Sequence, residues 1–334
     1  DVINKGDFRF NVGAIYNYNR NKLDELPNAD QYLYSSYWGS SSLVPTNDYM
    51  FVEGKAIGLV RGFISEGYYT VDDFNYTNGQ YVLKEGVPDI TKALTATYMH
   101  PYDLPAGQTA FPGAAKFRDV DESGTVDLDD ATCLGEVMPR HTGSFQLNFN
   151  YKNFDLSTNF NWTAGGKVYN VAAMINASGQ EFDGIGAQRA SWVADAFKVY
   201  NVNAAGDLYA VTNPDELRAL NANAKYHLPY HQSGITSSEW LENGSYLRLQ
   251  TLTLGYTLPK NWLTKVHVDK IRLYLTATNL FTITGYSGID PEVNANPTGQ
   301  SGFYSDLRIF PTLNMDFGTY PRARTFTFGA NITF

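Results

Sequence analysis

The segment Thr325-Phe326-Thr327-Phe328-Gly329-Ala330-Asn331-Ile332-Thr333-Phe334 alternates with period two. Phe326, Phe328, Ala330, Ile332 and Phe334 share one face of an extended strand, and Thr325, Thr327, Gly329, Asn331 and Thr333 share the other. One face is oily and the other is polar but uncharged. A single such strand fits a water-soluble sandwich with its oily face turned inward. It fits equally a wall whose oily face meets hydrocarbon. Repetition along the chain decides between the two.

The pattern recurs. Phe8, Phe10, Val12, Ala14, Tyr16 and Tyr18 alternate with Asp7, Arg9, Asn11, Gly13, Ile15, Asn17 and Asn19, and only Ile15 breaks the rule. Phe145, Leu147, Phe149 and Tyr151 alternate with Gln146, Asn148 and Asn150. Past the tight turn Lys152-Asn153, Phe154, Leu156, Thr158, Phe160 and Trp162 alternate with Asp155, Ser157, Asn159, Asn161 and Thr163. Asp155, Asn159 and Asn161 do not suit the core of a soluble sandwich, and the aromatics opposite them do not suit a surface in water. Leu252, Leu254, Tyr256 and Leu258 form one face of a further strand, and Ile271, Leu273, Leu275 and Ala277 oppose Arg272, Tyr274, Thr276 and Thr278 in another. Residues 56–66, where Ile57 and Leu59 lead into Phe63, are the seventh candidate. From Phe154 to Trp162 a strand rises roughly 26 Å at about 3.3 Å per residue, the scale of a transmembrane barrel's apolar band, with aromatics at both ends for the two interfaces. The predicted fold is all-β, a transmembrane antiparallel β-barrel.

Composition is consistent with this. Of 334 residues 15% are aromatic, with Tyr commonest at 24, which suits interface girdles and ligand-contacting loops. No run of about 18 apolar residues exists, so a helical membrane span is excluded. Asp1-Val2-Ile3-Asn4-Lys5 lacks the apolar core of a signal peptide, so the start reads as internal. A formal net charge of −9 with no concentrated basic face argues against nucleic-acid binding. The single cysteine, Cys133, rules out an intramolecular disulfide framework and reads as a small buried residue in preference to a reactive thiol.

Antiparallel barrel strands alternate in direction, so connections separated by an even number of strands emerge on one side. With the turn 152–153 on the inner side, 67–142, 164–244 and 282–321 all fall outside, matching the short inner turns and long outer loops of bacterial barrels. Pro259-Lys260-Asn261-Trp262 opens a compact turn back on the inner side. The same counting puts 22–50 inside although it is long, and a further strand within it is the open alternative. Seven strands are too few for loops of this size, and an open sheet in lipid leaves unpaired backbone groups that cost several kcal/mol each. Residues 1–334 are therefore expected to be one part of a larger closed barrel.

Within the first long outer loop lies Asp119-Val120-Asp121-Glu122-Ser123-Gly124-Thr125-Val126-Asp127-Leu128-Asp129-Asp130. Its oxygen-bearing residues fall at EF-hand spacing, with glycine at the sixth position and an apolar residue at the eighth. Such a loop wraps one Ca²⁺. The candidate ligands are Asp119, Asp121, Ser123, the Thr125 carbonyl, Asp127 and Asp130, with Gly124 making the sharp turn and Asp130 standing where a longer Glu is usual. No helical periodicity flanks the loop, so the ion would clamp it and would not open a groove. The bland alternative is a solvated acidic turn. Metal-loop spacing accounts for Asp119 and Asp121 better than a catalytic carboxylate pair does. His227 and His231 have the i,i+4 spacing of a metal pair, but Pro229 disrupts the helix such a pair needs, so they read as polar surface histidines. Trp192, Trp240 and Tyr246 could stack on sugar rings, although packing of the loops themselves is the preferred reading.

Several stretches together resemble a known family. They are Lys116-Phe117-Arg118-Asp119 running on to Asp130, Tyr151-Lys152-Asn153-Phe154-Asp155-Leu156, Gly165-Gly166-Lys167-Val168-Tyr169-Asn170, Ser245-Tyr246-Leu247-Arg248-Leu249 with 252–259, Asn279-Leu280-Phe281-Thr282, and Tyr286-Ser287-Gly288-Ile289-Asp290-Pro291-Glu292. In order and spacing they are similar to the C-terminal part of the SusC/RagA-like TonB-dependent transporters of Bacteroidetes outer membranes, over nearly the whole chain. The family's usual acidic loop looks like Asp-x-Asn-Gly-Asp-Gly, and Asp121 and Ser123 replace its Asn and second Asp while keeping oxygen ligands. The resemblance implies a barrel of roughly 22 strands closed around a plug. Plug and TonB-contacting segments would lie upstream, and a SusD/RagB-like surface lipoprotein would act as a lid. The terminal Phe334 would help the insertion machinery recognise the barrel. The implied function is active, non-enzymatic import of a glycan or oligopeptide too large for porins, with a passive porin or adhesin as the alternative.

Overall fold

The alternating segments assemble into one sheet. The computed structural model describes residues 2–27, 30–36, 43–95, 100–178, 190–228, 234–264, 268–293 and 314–334. Seven strands pair antiparallel in chain order: β1 (Ile3–Lys5), β2 (Phe8–Tyr18), β3 (His141–Tyr151), β4 (Phe154–Ala164), β5 (Tyr246–Thr257), β6 (Lys270–Thr284) and β7 (Thr325–Thr333). Among the described residues the sheet is open, with edges at β1 and β7.

Register carries the oily positions into continuous rows. Phe10, Phe149, Leu156, Leu254, Leu275 and Phe328 are successive cross-strand partners, and so are Val12, Leu147, Thr158, Leu252, Ala277 and Phe326. A one-residue slip would turn a strand's oily set to the other face, so this matching specifies the pairing. Phe326 and Phe328 are 66% and 72% exposed, and the oily face is not sealed inside a globule. Aromatics crowd both ends. Phe8, Tyr151, Phe154 and Tyr256 line up beside the short turns. At the far end Tyr16 and Trp162 meet at 6.1 Å across Gly143, where a Cβ would come within 2.7 Å of the indole. These are the two interfacial girdles expected of a barrel wall.

The opposite face is polar apart from Ile15. Ser157 Oγ donates to Asn148 at 2.6 Å, and the hydroxyls of Thr253 and Thr276 lie 2.9 Å apart. Arg272 of β6 reaches over Gly255 of β5 to grip Asp155 of β4 with two bonds of 2.9 and 2.5 Å. A Cβ on residue 255 would sit 2.5 Å from both partners, so glycine there leaves the bridge its path.

Short connections lie at one end and long ones at the other. Lys152 takes φ +51° in the β3–β4 turn, and the one-turn helix Lys260–Leu263 lies between β5 and β6. Because β2 pairs directly with β3, the whole of 19–140 is one outer connection. The candidate wall strand at 56–66 is thereby corrected. Leu59–Gly62 joins a separate four-stranded sheet with Gln31–Tyr34, Tyr49–Val52 and Thr132–Glu136. Leu59, Val60 and Phe63 are 5%, 0% and 0% exposed, so the segment has no open oily face. The short β1 takes the seventh place in the wall. The parity conflict at 22–50 disappears with it, since the strands found there belong to the outer sheet. Cys133, expected buried, is exposed on Thr132–Glu136.

The outer connections pack on one another. Phe63, Tyr69 and Phe111 of the first share a buried cluster with Val199, Leu217 and Ile235 of the second. Tyr49 and Val60 share another with Tyr169, Met174, Trp240 and Met315, so all three connections meet. The Phe63 N–H donates to the Thr236 carbonyl at 2.9 Å, and a Cβ on Gly62 would come within 2.2 Å of that same oxygen. The wall itself gives a direct test. Leu275→Arg, on the oily face, is expected to lower the stability of the inserted barrel by about 2–4 kcal/mol, whereas Thr327→Arg on the polar face is tolerated. Heat-modifiable gel mobility of the intact protein across a urea titration measures the difference, and equal behaviour would reverse the assignment of faces.

Candidate functional site

In the acidic loop Asp119, Asp121 and Asp130 each bring a carboxylate oxygen within 4.8 Å of the others. Asp130 is 1% exposed and organises the backbone around itself. It accepts the N–H groups of Val120 at 2.5 Å, Asp127 at 2.8 Å and Asp121 at 3.3 Å. Asp119 accepts from Gly124 at 2.7 Å and Ser123 at 3.1 Å. The Ser123 N–H also reaches Asp121 at 3.0 Å, and this bond holds the Asp121 carboxyl below the usual carboxylate range. Glu122 and Gly124, at φ +58° and +86°, make the turn. The Ser123 hydroxyl donates to the Thr125 carbonyl at 3.0 Å. Asp127 goes elsewhere: it caps the 3₁₀ turn Leu128–Asp130 by accepting from Asp129 N–H at 2.8 Å. Of the six sequence-predicted ligands, three carboxylates gather, Ser123 and Thr125 lie bonded to each other, and Asp127 serves as a cap.

All of these donors are oxygen, which fits a hard divalent cation and not a thiophilic metal. The flanking elements are the strands Ala115–Phe117 and Thr132–Glu136, not the helix pair of a sensor. Thr125–Val126 runs parallel to Asp89–Ile90, and Asp89 in turn accepts from Ala110 N–H at 2.7 Å. The loop therefore ties separate stretches of the first connection together.

A second polar cluster, which spacing alone does not reveal, fastens the third outer connection to the wall. The Arg248 side chain of β5, 3% exposed, donates to Asp290 at 2.5 Å, Glu292 at 3.0 Å and Thr282 at 3.0 Å. Arg322 joins Glu292 at 3.0 Å. A buried guanidinium is tolerable here because charged partners meet it on several sides. Glu242 accepts three bonds of 2.7 Å, from Asn170 Nδ2, Ser287 N–H and Ser287 Oγ. The Tyr286 hydroxyl donates to Asp316 at 2.6 Å. The motif stretches at 165–170, 245–249 and 286–292 thus converge on one region. The signal for it was their opposite charges, Arg248 against Asp290 and Glu292.

Beside Glu242 opens a cleft of about 260 Å³ lined by Asn176, Trp192, Tyr226, Glu239, Trp240 and Glu242, among others. Trp192 stacks on Tyr226 at 3.8 Å and meets Trp240 at 5.4 Å, so both tryptophans pack the loops in the preferred manner. Tyr246 is half-buried, with the Arg248 guanidinium 5.4 Å from its ring centre. His227, expected at the surface, is 3% exposed, sits edge-on to Trp192, and has its pKa pulled down to about 4 by burial. His231 lies outside the described residues. Burial pushes the Glu239 carboxyl up to about 7.

The loop's dependence on Asp130 is measurable. Asp130→Ala removes the acceptor of three N–H groups, at about 1–3 kcal/mol for each that stays buried. Amide exchange of 119–131 in the intact protein is expected to accelerate, with Asp130→Asn intermediate, and unchanged exchange would show that this carboxylate does not hold the loop.

No family model matches the chain. TonB-dependent receptor P3 of Formosa agariphila is 28% identical over 333 residues, covering 99% of this chain and 27% of that protein. TonB-dependent receptor SusC of Bacteroides thetaiotaomicron is 26% identical over 246 residues, covering 71% and 19%. The RagAB peptide transporter structure matches with a TM-score of 0.60 at 19% identity, over 99% of this chain and 28% of that one. That likeness shows the fold, with the open sheet corresponding to part of a barrel wall. The chain spans 27% of the first curated relative's length. By its fold, its motifs and these relatives, the chain is similar to the SusC/RagA-like TonB-dependent receptors, of which it spans about a quarter.

Proposed function

We propose that residues 1–334 form the C-terminal portion of a plugged barrel that imports a large nutrient, a glycan or an oligopeptide, with TonB acting on a plug upstream. The observation that carries this reading is the packed outer body. Three long connections, all at one end of a wall with a polar inner face, bury their side chains together and build a structured mouth. A SusD/RagB-like lipoprotein covers this mouth as a lid, and the likeness to RagAB supports a two-component arrangement. The chain's own part is to bind and to guide. Outer residues hold cargo, and the polar rows at Asn148, Ser157, Thr253 and Thr276 keep the lumen wet.

The 119–130 loop holds Ca²⁺ in this reading, through Asp119, Asp121 and Asp130 with Ser123, the Thr125 carbonyl and Asp127 as the further candidate donors. When bound, the ion supplies the positive charge that the clustered carboxylates lack. Gly124 lets the backbone turn, and Asp130 holds the loop's N–H groups in place.

Uptake of cargo by cells expressing the full-length receptor is expected to vanish when TonB is deleted, and undiminished uptake would favour a passive porin or adhesin. For the ion, adding CaCl₂ to chelator-treated receptor is expected to raise its unfolding temperature, and Asp119→Asn with Asp121→Asn should abolish the shift. A receptor indifferent to calcium from the outset would sink the metal assignment.

A further inference from the structure

The end of the wall that carries the short turns is charged against the rest of the chain. Residues 1–334 have a formal net charge of −9. Yet at or beyond the row of Phe8, Tyr151, Phe154 and Tyr256 stand Lys5, Lys152, Lys260 and Lys270, against Asp7 and Asp269. All four lysines are exposed. Among the described residues the lysines in ion pairs are Lys22, Lys116 and Lys225, all in the outer connections, so none of these four is neutralised in that way.

Two of the four stand on the oily face. Lys5 of β1 is the cross-strand partner of Phe8, and Phe8 is that of Tyr151, and directly opposed residues share a face. The Lys152 ammonium lies 5.5 Å from the centre of the Tyr151 ring, within cation–π reach, and Tyr151 is 53% exposed on the oily face. Neighbouring strands lie about 4.8 Å apart, so Lys5 and Tyr151 flank Phe8 at about 10 Å from each other. The patch therefore presents two ammonium groups with two aromatic rings between them. Trp262, 63% exposed on the one-turn helix, stands at the same end, where an indole suits the boundary between headgroups and hydrocarbon.

What covers this patch follows from the surface it continues. Phe10, Phe149 and Leu156, one step further along the wall, lie on the face that meets acyl chains in a barrel. A lipid lying along them brings its headgroup to the level of Lys5 and Lys152, whose stems run over the rings while the charges reach outward. A phosphodiester there is the counter-ion that these lysines lack within the described residues. A zwitterionic headgroup carries its own ammonium and returns part of that gain, whereas an anionic one keeps it whole.

We propose that Lys5 and Lys152, with the rings of Phe8 and Tyr151, form a binding patch for an anionic phospholipid headgroup in the leaflet on the short-turn side. Lys260 and Lys270 extend the same positive field along the rim. The inference rests on the barrel reading, which sets the wall in lipid, and not on import.

The experiment takes the purified full-length receptor into detergent from mixed vesicles of phosphatidylglycerol, phosphatidylethanolamine and lipid A, and reads by mass spectrometry which lipid stays bound. Phosphatidylglycerol is expected to be retained over phosphatidylethanolamine by about fivefold or more. The excess should shrink in about 1 M NaCl. Lys5→Gln with Lys152→Gln should lower the excess by about fivefold while leaving heat-modifiable mobility unchanged, and Lys198→Gln in the second outer connection should not alter it. Retention of the two phospholipids in the proportion supplied, or the same excess in the double variant, overturns the proposal. A preference for lipid A carried by the same two lysines also overturns it, because that headgroup belongs to the opposite leaflet. The comparison of lipids is made on the unmodified receptor and does not depend on the variant folding. A wall that is not in lipid would also tolerate Leu275→Arg, so failure of the barrel reading is told apart from failure of this patch.

Discussion

A peptide N–H in hydrocarbon has no water to turn to, and the architecture of the wall follows from that deficit. Each strand must hand its backbone groups to a neighbour, and each side chain on the outer face must be content in lipid. The sequential order from β1 to β7 satisfies the first demand with the shortest connections available at one end. The unbroken rows from Phe10 to Phe328 satisfy the second. The two demands reinforce one another, because only one register both closes the ladder and keeps the oily set together. In the barrel proposed above, neighbouring strands would meet the same demand at the open edges, β1 and β7.

Beyond the membrane the solvent changes and so does the logic. The outer connections behave as a water-soluble body, with tyrosine and phenylalanine inside and short strands paired locally. Here polar groups can be interior if they are satisfied. Arg248 with Asp290 and Glu292, Glu242 with Asn170 and Ser287, and Asp130 with the acidic-loop backbone are three solutions to that problem. Each replaces lost hydration with charge-assisted bonds at defined positions, which gives the mouth a fixed shape.

The sequence was legible where one rule governed and misleading where two competed. Strands β2 to β7 stand out because lipid on one side and water on the other impose alternation over seven residues or more, broken only at Ile15. β1, at three residues, is too short to show a period. Residues 56–66 carried oily side chains at suitable positions, but Val60 lies between Leu59 and Gly62 in a strand buried on both faces, so alternation was accidental. In the acidic loop, ligand spacing and helix capping call on the same residues. Asp127 and Asp130 form a capping box around the turn 128–130, and this explains why Asp127 left the carboxylate cluster. His227 was read as a surface residue, yet it is buried beside Trp192, a contact 35 positions away along the chain that no local pattern announces. The ion cluster at Arg248 was hidden for the same reason: its members were visible as motifs, and only the fold shows that they face each other.

The interlocking of the outer connections has a consequence for how such a receptor diversifies. Gly62 lies so near the Thr236 carbonyl that the first and second connections share a seam with no spare room. Tyr169, Trp240 and Met315 draw the third into the same mass. A recombination event that replaced one connection alone would leave mismatched halves on either side of that seam. If the mouth binds cargo as proposed, new preferences would arise by inheriting it as a single cassette, while the staves beneath it drift freely so long as each keeps its oily and wet sides apart.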